Sequence, residues 1–357
     1  MSYESLCRDK VQRLMDQKEA LILAFESSCD ETSVAVIESG RRVRSLRIAS
    51  QIDTHVAYGG VVPEIASRMH VEAIGSLTDL ALKDAGIGLD QVDALAVTAG
   101  PGLVGALLVG VSFAKSMAYV LKKPLIGVHH IEGHISANYL DHPDLSPPFL
   151  CLVISGGHTQ LVEVLGYGMY RPLGATRDDA AGEAFDKGAR VLGLPYPGGK
   201  HMDQLARQGR SDAFSFPQAH VKDAPLDFSF SGLKTSLIQL VHQRTQKDPG
   251  WLELHRADLA ASYQQAIVKA LREHAQLAMD QLGYQTLALA GGVAANSCLR
   301  QEMGDAMAAM NRRLVYPSLI HCTDNAAMIG AAAYYRLMKG VFAPLSLNAT
   351  PSLPLAP

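Results

Sequence analysis

The run Gly127-Val128-His129-His130-Ile131-Glu132-Gly133-His134 sets two imidazoles, His130 and His134, at i and i+4. If the segment is helical, both lie on one face, one turn apart, and can grip a single metal ion. An isolated HxxxH pair is more often structural, so the set needs a carboxylate to complete it. Asp324, which reads as the N-cap of the last apolar helix near the C-terminus, is the candidate. Two His and one carboxylate with open positions suit Fe(II) first and Zn(II) second. The pattern is not that of a zincin, which needs Glu directly after the first His; Ile131 stands there, and Glu132 is one further on. An HxE pair also occurs in nucleoside deaminases, but no PCxxC follows.

A second chemistry sits on glycine-rich turns. Ile154-Ser155-Gly156-Gly157-His158 interrupts two apolar runs, and Gly291-Gly292 follows the apolar run Thr286–Ala290, ahead of a helix through Asn296 and Arg300. Glycines let backbone N–H groups approach phosphate oxygens, and a helix N-terminus adds positive potential. The acidic stretch Arg177–Lys187, with Asp186, precedes Tyr196-Pro197-Gly198-Gly199-Lys200 and Asp203. Carboxylates beside a Gly-Gly turn can hold ribose hydroxyls, although such stretches are more often a solvated helix face. Gly100-Pro101-Gly102-Leu103-Val104-Gly105 is formally GxGxxG, but the next strand, Pro124–Val128, ends in His129-His130 and not in an acid. Glycines packing a helix onto a sheet explain it better.

The elements that must position these groups are partly repeated. Leu21–Val36, with Ser27, Ser28, Asp30, Glu31 and Thr32 at its centre, and Phe149–Val164, with Ser155–Thr159, each read as strand, small polar turn, Thr, strand. Each is a hairpin with hydroxyls and backbone amides at its tip. The Pro-rich Asp141–Pro148 between them reads as a lobe boundary. A lobe opening on a hairpin, repeated, then a late Gly-Gly turn, is the pattern of the actin, Hsp70 and sugar-kinase fold (ASKHA). We therefore expect a two-lobed α/β protein holding an adenine nucleotide and a metal ion between its lobes.

Composition agrees with a globular enzyme. The 357 residues are 48% hydrophobic and 19% charged, which suits a packed core and argues against disorder. A net charge of −3 is no general magnet for nucleic acid; a polyanionic partner needs a local basic patch, of which Gly40–Arg44 is one example, or a helper protein. Five cysteines without a CxxC spacing read as reduced thiols. Asp9, Lys10, Arg13, Asp16 and Lys18 make the N-terminus too polar for a signal peptide. Ala94–Ala114 is uncharged and long enough to span a membrane, but Gly100-Pro101-Gly102 divides it into a strand, Ala94–Thr98, and a helix from about Leu103. A cytoplasmic protein with no membrane partner is expected.

Ten blocks then resemble one family in order: FESSCDETSVAV, HVAYGGVVPEIASRMH, GPGLVGALLVG, HHIEGH, ISGGHTQL, DDAAGEAFDK, YPGG, FSFSGLKT, AGGVAAN and CTDNAAMIG. They are similar to the TsaD family of tRNA threonylcarbamoyladenosine transferases, formerly described as O-sialoglycoprotein endopeptidases. The resemblance covers roughly Leu21 to Gly340. It implies transfer of threonylcarbamoyl from threonylcarbamoyl-AMP to N6 of adenosine 37, in tRNAs that read ANN codons. It also implies a TsaB-like paralogue and a TsaE-like ATPase as partners.

By the same resemblance, His130, His134 and Asp324 hold one divalent metal. Ile154, Ser155, Gly156, Gly157 and His158 bind adenylate, with ribose and phosphate contacts from Asp186, Gly199, Asp203 and Asn296. Asp30 and Glu31 stand where acids matter for transfer. Lys200 departs from the family pattern, which usually has Pro after the Gly-Gly pair. The expected organisation is an N-terminal extension (1–20), a first lobe with the His pair (21–148), a second lobe with the nucleotide turns (149–319), a helix packing back on the first lobe (320–340) and a loose tail (341–357). Two other classes compete: a small-molecule kinase of the same fold, which leaves the His pair unexplained, and a metal-dependent glycoprotein endopeptidase, which leaves the glycine turns unexplained.

Overall fold

Leu21–Glu26 (β1) and Glu31–Glu38 (β2) form an antiparallel hairpin, Leu21 opposite Glu38 and Glu26 opposite Ser33. This is seen in a computed structural model that describes residues 3–218 and 221–355. β1 and β2 are buried on both faces because helices cover both sides, so their sequences read as near-continuous apolar runs. Arg42–Ser50 (β3) extends the hairpin on one side, while Ala94–Gly100 (β4) and Leu125–His129 (β5) run parallel on the other, giving the order β3-β2-β1-β4-β5.

Phe149–Ile154 (β6), Thr159–Gly166 (β7), Met169–Ala175 (β8), Thr286–Ala290 (β9) and Arg313–Val315 (β10) form a second sheet, ordered β10-β9-β6-β7-β8. Read from its other edge, β8-β7-β6-β9-β10 repeats the first sheet strand for strand: β6 and β7 are antiparallel, and β9 runs parallel to β6 and to β10. The chain divides into two compact units. One comprises Met1–Pro147, Gly166–Tyr170 and Pro317–Pro357, the other Pro148–Leu165 and Arg171–Tyr316.

In the first unit, the helix Ala326–Leu337 lies on one face of the sheet together with Tyr3–Gln17. Its run of small residues permits close approach: a Cβ at Gly330 would stand 2.5 Å from Ile37 Cγ1. The helices Pro63–Ala85 and Val104–Leu121 cover the opposite face. Val104–Leu121 is long and apolar enough to cross a membrane by length and composition. Here Ala106, Leu107, Val111, Ala114 and Ala118 are buried, and Phe113 meets Phe25 edge-on with centroids 5.5 Å apart. The basic run at 40–44 is absorbed locally. Arg42 and Arg44 pair with Glu38 at 3.2 and 3.3 Å, and the Arg41 guanidinium lies over the Tyr139 and Tyr335 rings.

The tail from Ala343 is not loose, contrary to the expectation from its Pro and Ser content; residues 356 and 357 lie outside the described residues. Ala343 N donates to Leu125 O at 2.7 Å, Thr350 N to Ala99 O at 2.8 Å and Gly102 N to Pro351 O at 3.1 Å. A Pro-rich segment cannot build a ladder of its own, but it can blunt an edge strand such as β5. The tail also explains the GxGxxG run: a Cβ at Gly100 would strike Thr350 O, and one at Gly102 would stand 2.7 Å from Ser28 O. These glycines serve packing. Truncation after Asn348 removes the bonds made by Thr350, Pro351 and Leu353. At about 1 kcal/mol per bond, it should lower Tm by about 5 °C or more, read by circular dichroism. An unchanged Tm would show that the tail contributes no stability.

Candidate functional site

His130–Ser136 forms a short helix directly after β5. His129 is its N-cap: Nδ1 accepts from Ile131 N at 3.1 Å, while Nε2 donates to Leu353 O at 2.9 Å. The helix turns both following imidazoles toward Asp324. His130 Nε2 lies 3.5 Å and His134 Nε2 3.2 Å from Asp324 Oδ1, and one ligand atom from each residue falls within 4.8 Å of the others. His134 is fully buried, and among the described residues neither of its ring nitrogens has a hydrogen-bond partner. An unsatisfied buried nitrogen is costly, and a cation shared with His130 and Asp324 would satisfy it. The donor set fits a divalent metal.

Two readings of this site change. Asp324 does not cap the last helix. Asn325 does, its side chain accepting from Met328 N, and the helix starts at Ala326. The Asp324 carboxylate is turned to the imidazoles instead. In addition, all three ligands belong to the first unit. Chain order, with Asp324 after the nucleotide turns, suggested a metal set shared between lobes; the set is instead assembled within one unit, because residues 317–357 fold with the first sheet.

The surrounding charges are unusual. Burial alone would strip the proton from His130, but the Asp324 and Glu26 carboxylates outweigh it and raise the imidazole to about 9. Glu31, at the hairpin tip, is pushed up to about 9 by burial and by the charges of Asp30 and Asp324, while accepting from Ser50 Oγ at 3.1 Å. Asp30 is buried beside it, and its carbonyl accepts from Gln51 N at 3.0 Å.

Both shifts have the same sign for the metal-free protein. His130 is raised from 6.5, so its stabilising contribution is complete below about pH 6.5 and is lost as pH climbs through about 9. Glu31, raised from 4.5, loses its contribution over the window from about 4.5 to 9. Calorimetry of chelated protein should show Tm falling between pH 6.5 and 9. Saturating Zn(II) should flatten the His130 part, because the ion takes the proton's place. A Tm that rises over this window would contradict both assignments.

In the second unit, Ser155–His158 closes the β6–β7 hairpin. Ser155 N donates to His158 O at 2.8 Å, and Ser155 Oγ accepts from His158 N at 3.1 Å. Ile154 is buried at the end of β6, whereas Gly156 and Gly157 are exposed. The glycines of this unit fall into two kinds. A Cβ at Gly182 or Gly291 would collide with Ser155 O or Ile154 O, and one at Gly198 would stand 2.9 Å from Asp186 Cα; these pack turn against turn. A Cβ at Gly156, Gly157 or Gly292 would meet nothing within 4 Å, and at Gly199 only Phe185 Cβ at 4.0 Å. None of these four has a left-handed φ, so the chain itself does not require glycine there.

The other nucleotide candidates are held by internal bonds. Asp186 Oδ1 accepts from Gly198 N and Gly199 N at 2.7 and 3.2 Å, fixing the second Gly-Gly turn. Asp203 accepts from Ser297 Oγ at 2.8 Å and Arg207 Nη2 at 3.0 Å. Asn296 Oδ1 caps the helix Ser297–Ala309 through Leu299 N, and its Nδ2 donates to Gln264 at 2.8 Å. Lys200 lies just inside the first turn of the helix Gly198–Ala206.

Sequence reasoning passed over two residues. Glu26 is fully buried at the end of β1, and His70 is fully buried with Nδ1 2.7 Å from Thr32 Oγ1 and Nε2 donating to Cys29 O at 2.9 Å. The available signal for Glu26 was a charge closing an otherwise apolar strand.

Comparison with known proteins gives the same family by two routes. A family model described as "TsaD: tRNA N6-adenosine threonylcarbamoyltransferase" matches residues 42–331. A protein of that name from Clostridium beijerinckii is 54% identical over 341 residues, covering 96% of this chain and 99% of its own. One from Clostridium kluyveri is 52% identical over 339 residues, covering 95% and 98%. Among solved structures, HypF from T. kodakarensis superposes with a TM-score of 0.59 at 15% identity, over 90% of this chain and 48% of that one. The (R)-2-hydroxyglutaryl-CoA dehydratase component A of Acidaminococcus fermentans gives 0.51 at 12% identity, over 90% and 98%. At such identities these two show the fold alone, the ASKHA-like arrangement of paired α/β sheets. Matched along most of its length by the family and by relatives of nearly equal size, the chain belongs to the tRNA N6-adenosine threonylcarbamoyltransferases, a family of tRNA-modifying transferases.

Proposed function

We propose that this enzyme transfers threonylcarbamoyl from threonylcarbamoyl-AMP to N6 of adenosine 37 in cytoplasmic tRNAs reading ANN codons, releasing AMP. The observation that carries the reading is the intact His130, His134 and Asp324 set in a chain matched to the family over residues 42–331. The exocyclic amine attacks the carbamoyl carbon, the bond from that carbon to the phosphate oxygen breaks, the amine loses a proton, and AMP departs. A bound Fe(II) or Zn(II) would supply Lewis acidity toward the threonylcarbamoyl group.

The open glycines are the feature that favours adenylate. Backbone N–H groups at Gly156 and Gly157 can take charge growing on the departing phosphate, with Ile154, Ser155 and His158 shaping that turn. Asp186 and Asp203, with Gly199 and Asn296, would face ribose and phosphate. Asp186 acts partly by holding the Gly198–Gly199 amides in place. Glu31, which accepts from Ser50 Oγ at 3.1 Å, stands with Asp30 at the tip of the first hairpin, where these acids would act near the transferred group. Adenine N6 is a weak nucleophile, so orientation by the tRNA supplies much of the rate.

With a net charge of −3, the chain alone should hold tRNA weakly, and a TsaB-like paralogue and a TsaE-like ATPase complete the system. The test is mass spectrometry of nucleosides after incubating unmodified tRNA and threonylcarbamoyl-AMP with this chain, alone and with those partners. We expect threonylcarbamoyladenosine, with AMP in equal amount, only when the partners are present. Neither sugar phosphorylation nor glycoprotein cleavage is expected. No modified nucleoside, together with chelator-sensitive cleavage of a glycoprotein, would return the endopeptidase reading.

A further inference from the structure

Of the two imidazoles facing Asp324, only one has its far edge held by the protein. His134 Nδ1 is buried without a partner, whereas His130 Nδ1 lies 3.2 Å from Glu26 Oε2 and 3.2 Å from Ser28 Oγ. Glu26 is out of contact with solvent, and its carboxylate is itself fixed from two sides. Ser28 N donates to Oε1 at 2.5 Å, and Thr98 Oγ1 donates to Oε2 at 2.7 Å. These donors are a backbone amide in the hairpin turn after β1 and a side-chain hydroxyl on the neighbouring β4, so the carboxylate is held between the turn and the adjacent strand. An ionised carboxylate can only accept, so the imidazole edge facing it carries the proton. A neutral His130 is thereby held as the Nδ1–H tautomer with its Nε2 lone pair directed at Asp324.

We infer that Glu26 is a positioning residue of the metal centre: through Ser28, Thr98 and the sheet it fixes the ring plane and tautomer of His130, so that Nε2 is committed to the ion. It touches neither the ion nor the substrate. The arrangement is the carboxylate–histidine–metal relay that outer-shell partners provide elsewhere, and such partners are worth about 10–100-fold in metal affinity. It also makes the two histidines unequal. His130 is pre-oriented before any ion arrives, whereas His134, with no partner at Nδ1 among the described residues, depends on packing, on Asp324 and on the ion. The inference rests on the metal reading of the His130, His134 and Asp324 set, but not on the transfer reaction.

The test uses the full chain and metal alone. Zn(II) is titrated against a competing chelator for wild type, Glu26→Gln and Thr98→Val, with thermal melts alongside. In the Zn(II)-loaded protein, the His130 Nδ1 proton is followed by ¹H–¹⁵N NMR. Wild type should show a slowly exchanging, strongly downfield Nδ1 proton. Glu26→Gln keeps the shape but not the charge; it should weaken Zn(II) binding by about 10-fold or more and move that proton upfield. Thr98→Val leaves the carboxylate but removes one of its donors, and should give a smaller loss with the proton still downfield. A purely structural role predicts a lower Tm with the proton unmoved and Zn(II) affinity within two-fold, and that result overturns the inference. Should Glu26→Gln fail to fold, the wild-type spectrum decides by itself: a His130 ring bound through Nδ1, or an Nδ1 proton in fast exchange, overturns it. Absence of Zn(II) binding by wild type would remove the metal reading and this inference together, whereas binding unaffected by Glu26→Gln removes only this one.

Discussion

His134→Ala should leave a folded protein that has lost its metal and its transferase activity. The side chain is fully buried, its Nε2 stands 3.2 Å from Asp324 Oδ1, and among the described residues neither ring nitrogen makes a hydrogen bond. The imidazole therefore contributes little to the fold through hydrogen bonds, and the polar loss falls on the ion. Outer-shell partners alone are worth about 10–100-fold in metal affinity, so deleting a direct ligand should cost more than about 100-fold. Elemental analysis should find less than stoichiometric metal after dialysis, and formation of threonylcarbamoyladenosine with all partners present should fall to background. The cavity will lower Tm somewhat, so His134→Gln serves as a companion of nearer volume. Wild-type metal content and activity in both variants would show that the pair is structural.

Gly157→Val is expected to do the reverse of an ordinary glycine substitution in a tight turn: to leave stability unchanged and remove nucleotide binding. A Cβ there meets no protein atom within 4 Å, and the residue has no left-handed φ. Only a ligand approaching the exposed turn would encounter the new side chain. Losing two hydrogen bonds to a charged phosphate, at about 1.5 kcal/mol or more each, weakens AMP or ATP about 100-fold or more, measurable by calorimetric titration. Gly182→Ala is the contrasting case. Its Cβ would collide with Ser155 O and stand 2.8 Å from Gly156 Cα, so the turn must move, and both Tm and affinity should fall. Equal AMP affinity in wild type and Gly157→Val would mean that the open turn serves no phosphate. Asn296→Ala is a less clean probe. Asn296 caps a helix and bonds to Gln264, so its loss costs stability of about 1 kcal/mol whatever it does for the nucleotide.

The sequence by itself determined the parts whose energetics are local. Alternation of apolar runs with small polar turns set the β1–β2 and β6–β7 hairpins, because adjacent strands joined by a short turn pair at little entropic cost. The i, i+4 spacing placed His130 and His134 on one helical face, since backbone hydrogen bonds fix that geometry whatever surrounds it. Repetition of the hairpin also foretold two sheets of one plan.

What only the tertiary structure decided were the relations between segments distant along the chain. Glu26 and His130 are 104 positions apart, and His129 and Leu353 are 224 apart. No periodicity links such pairs; packing of a helix start and of the tail against the first sheet does. The cap of the last helix moved by one residue because Asn325 could satisfy Met328 N while the neighbouring Asp324 turned to the imidazoles. The tail, unstructured by composition, is ordered because an edge strand offered it donors and acceptors that water would otherwise hold. Gly157 and Gly182 are the same letter in the sequence. Whether a glycine makes room for the protein's own backbone or for something else depends on what stands where its Cβ would be, and that is fixed only once the strands have been brought together.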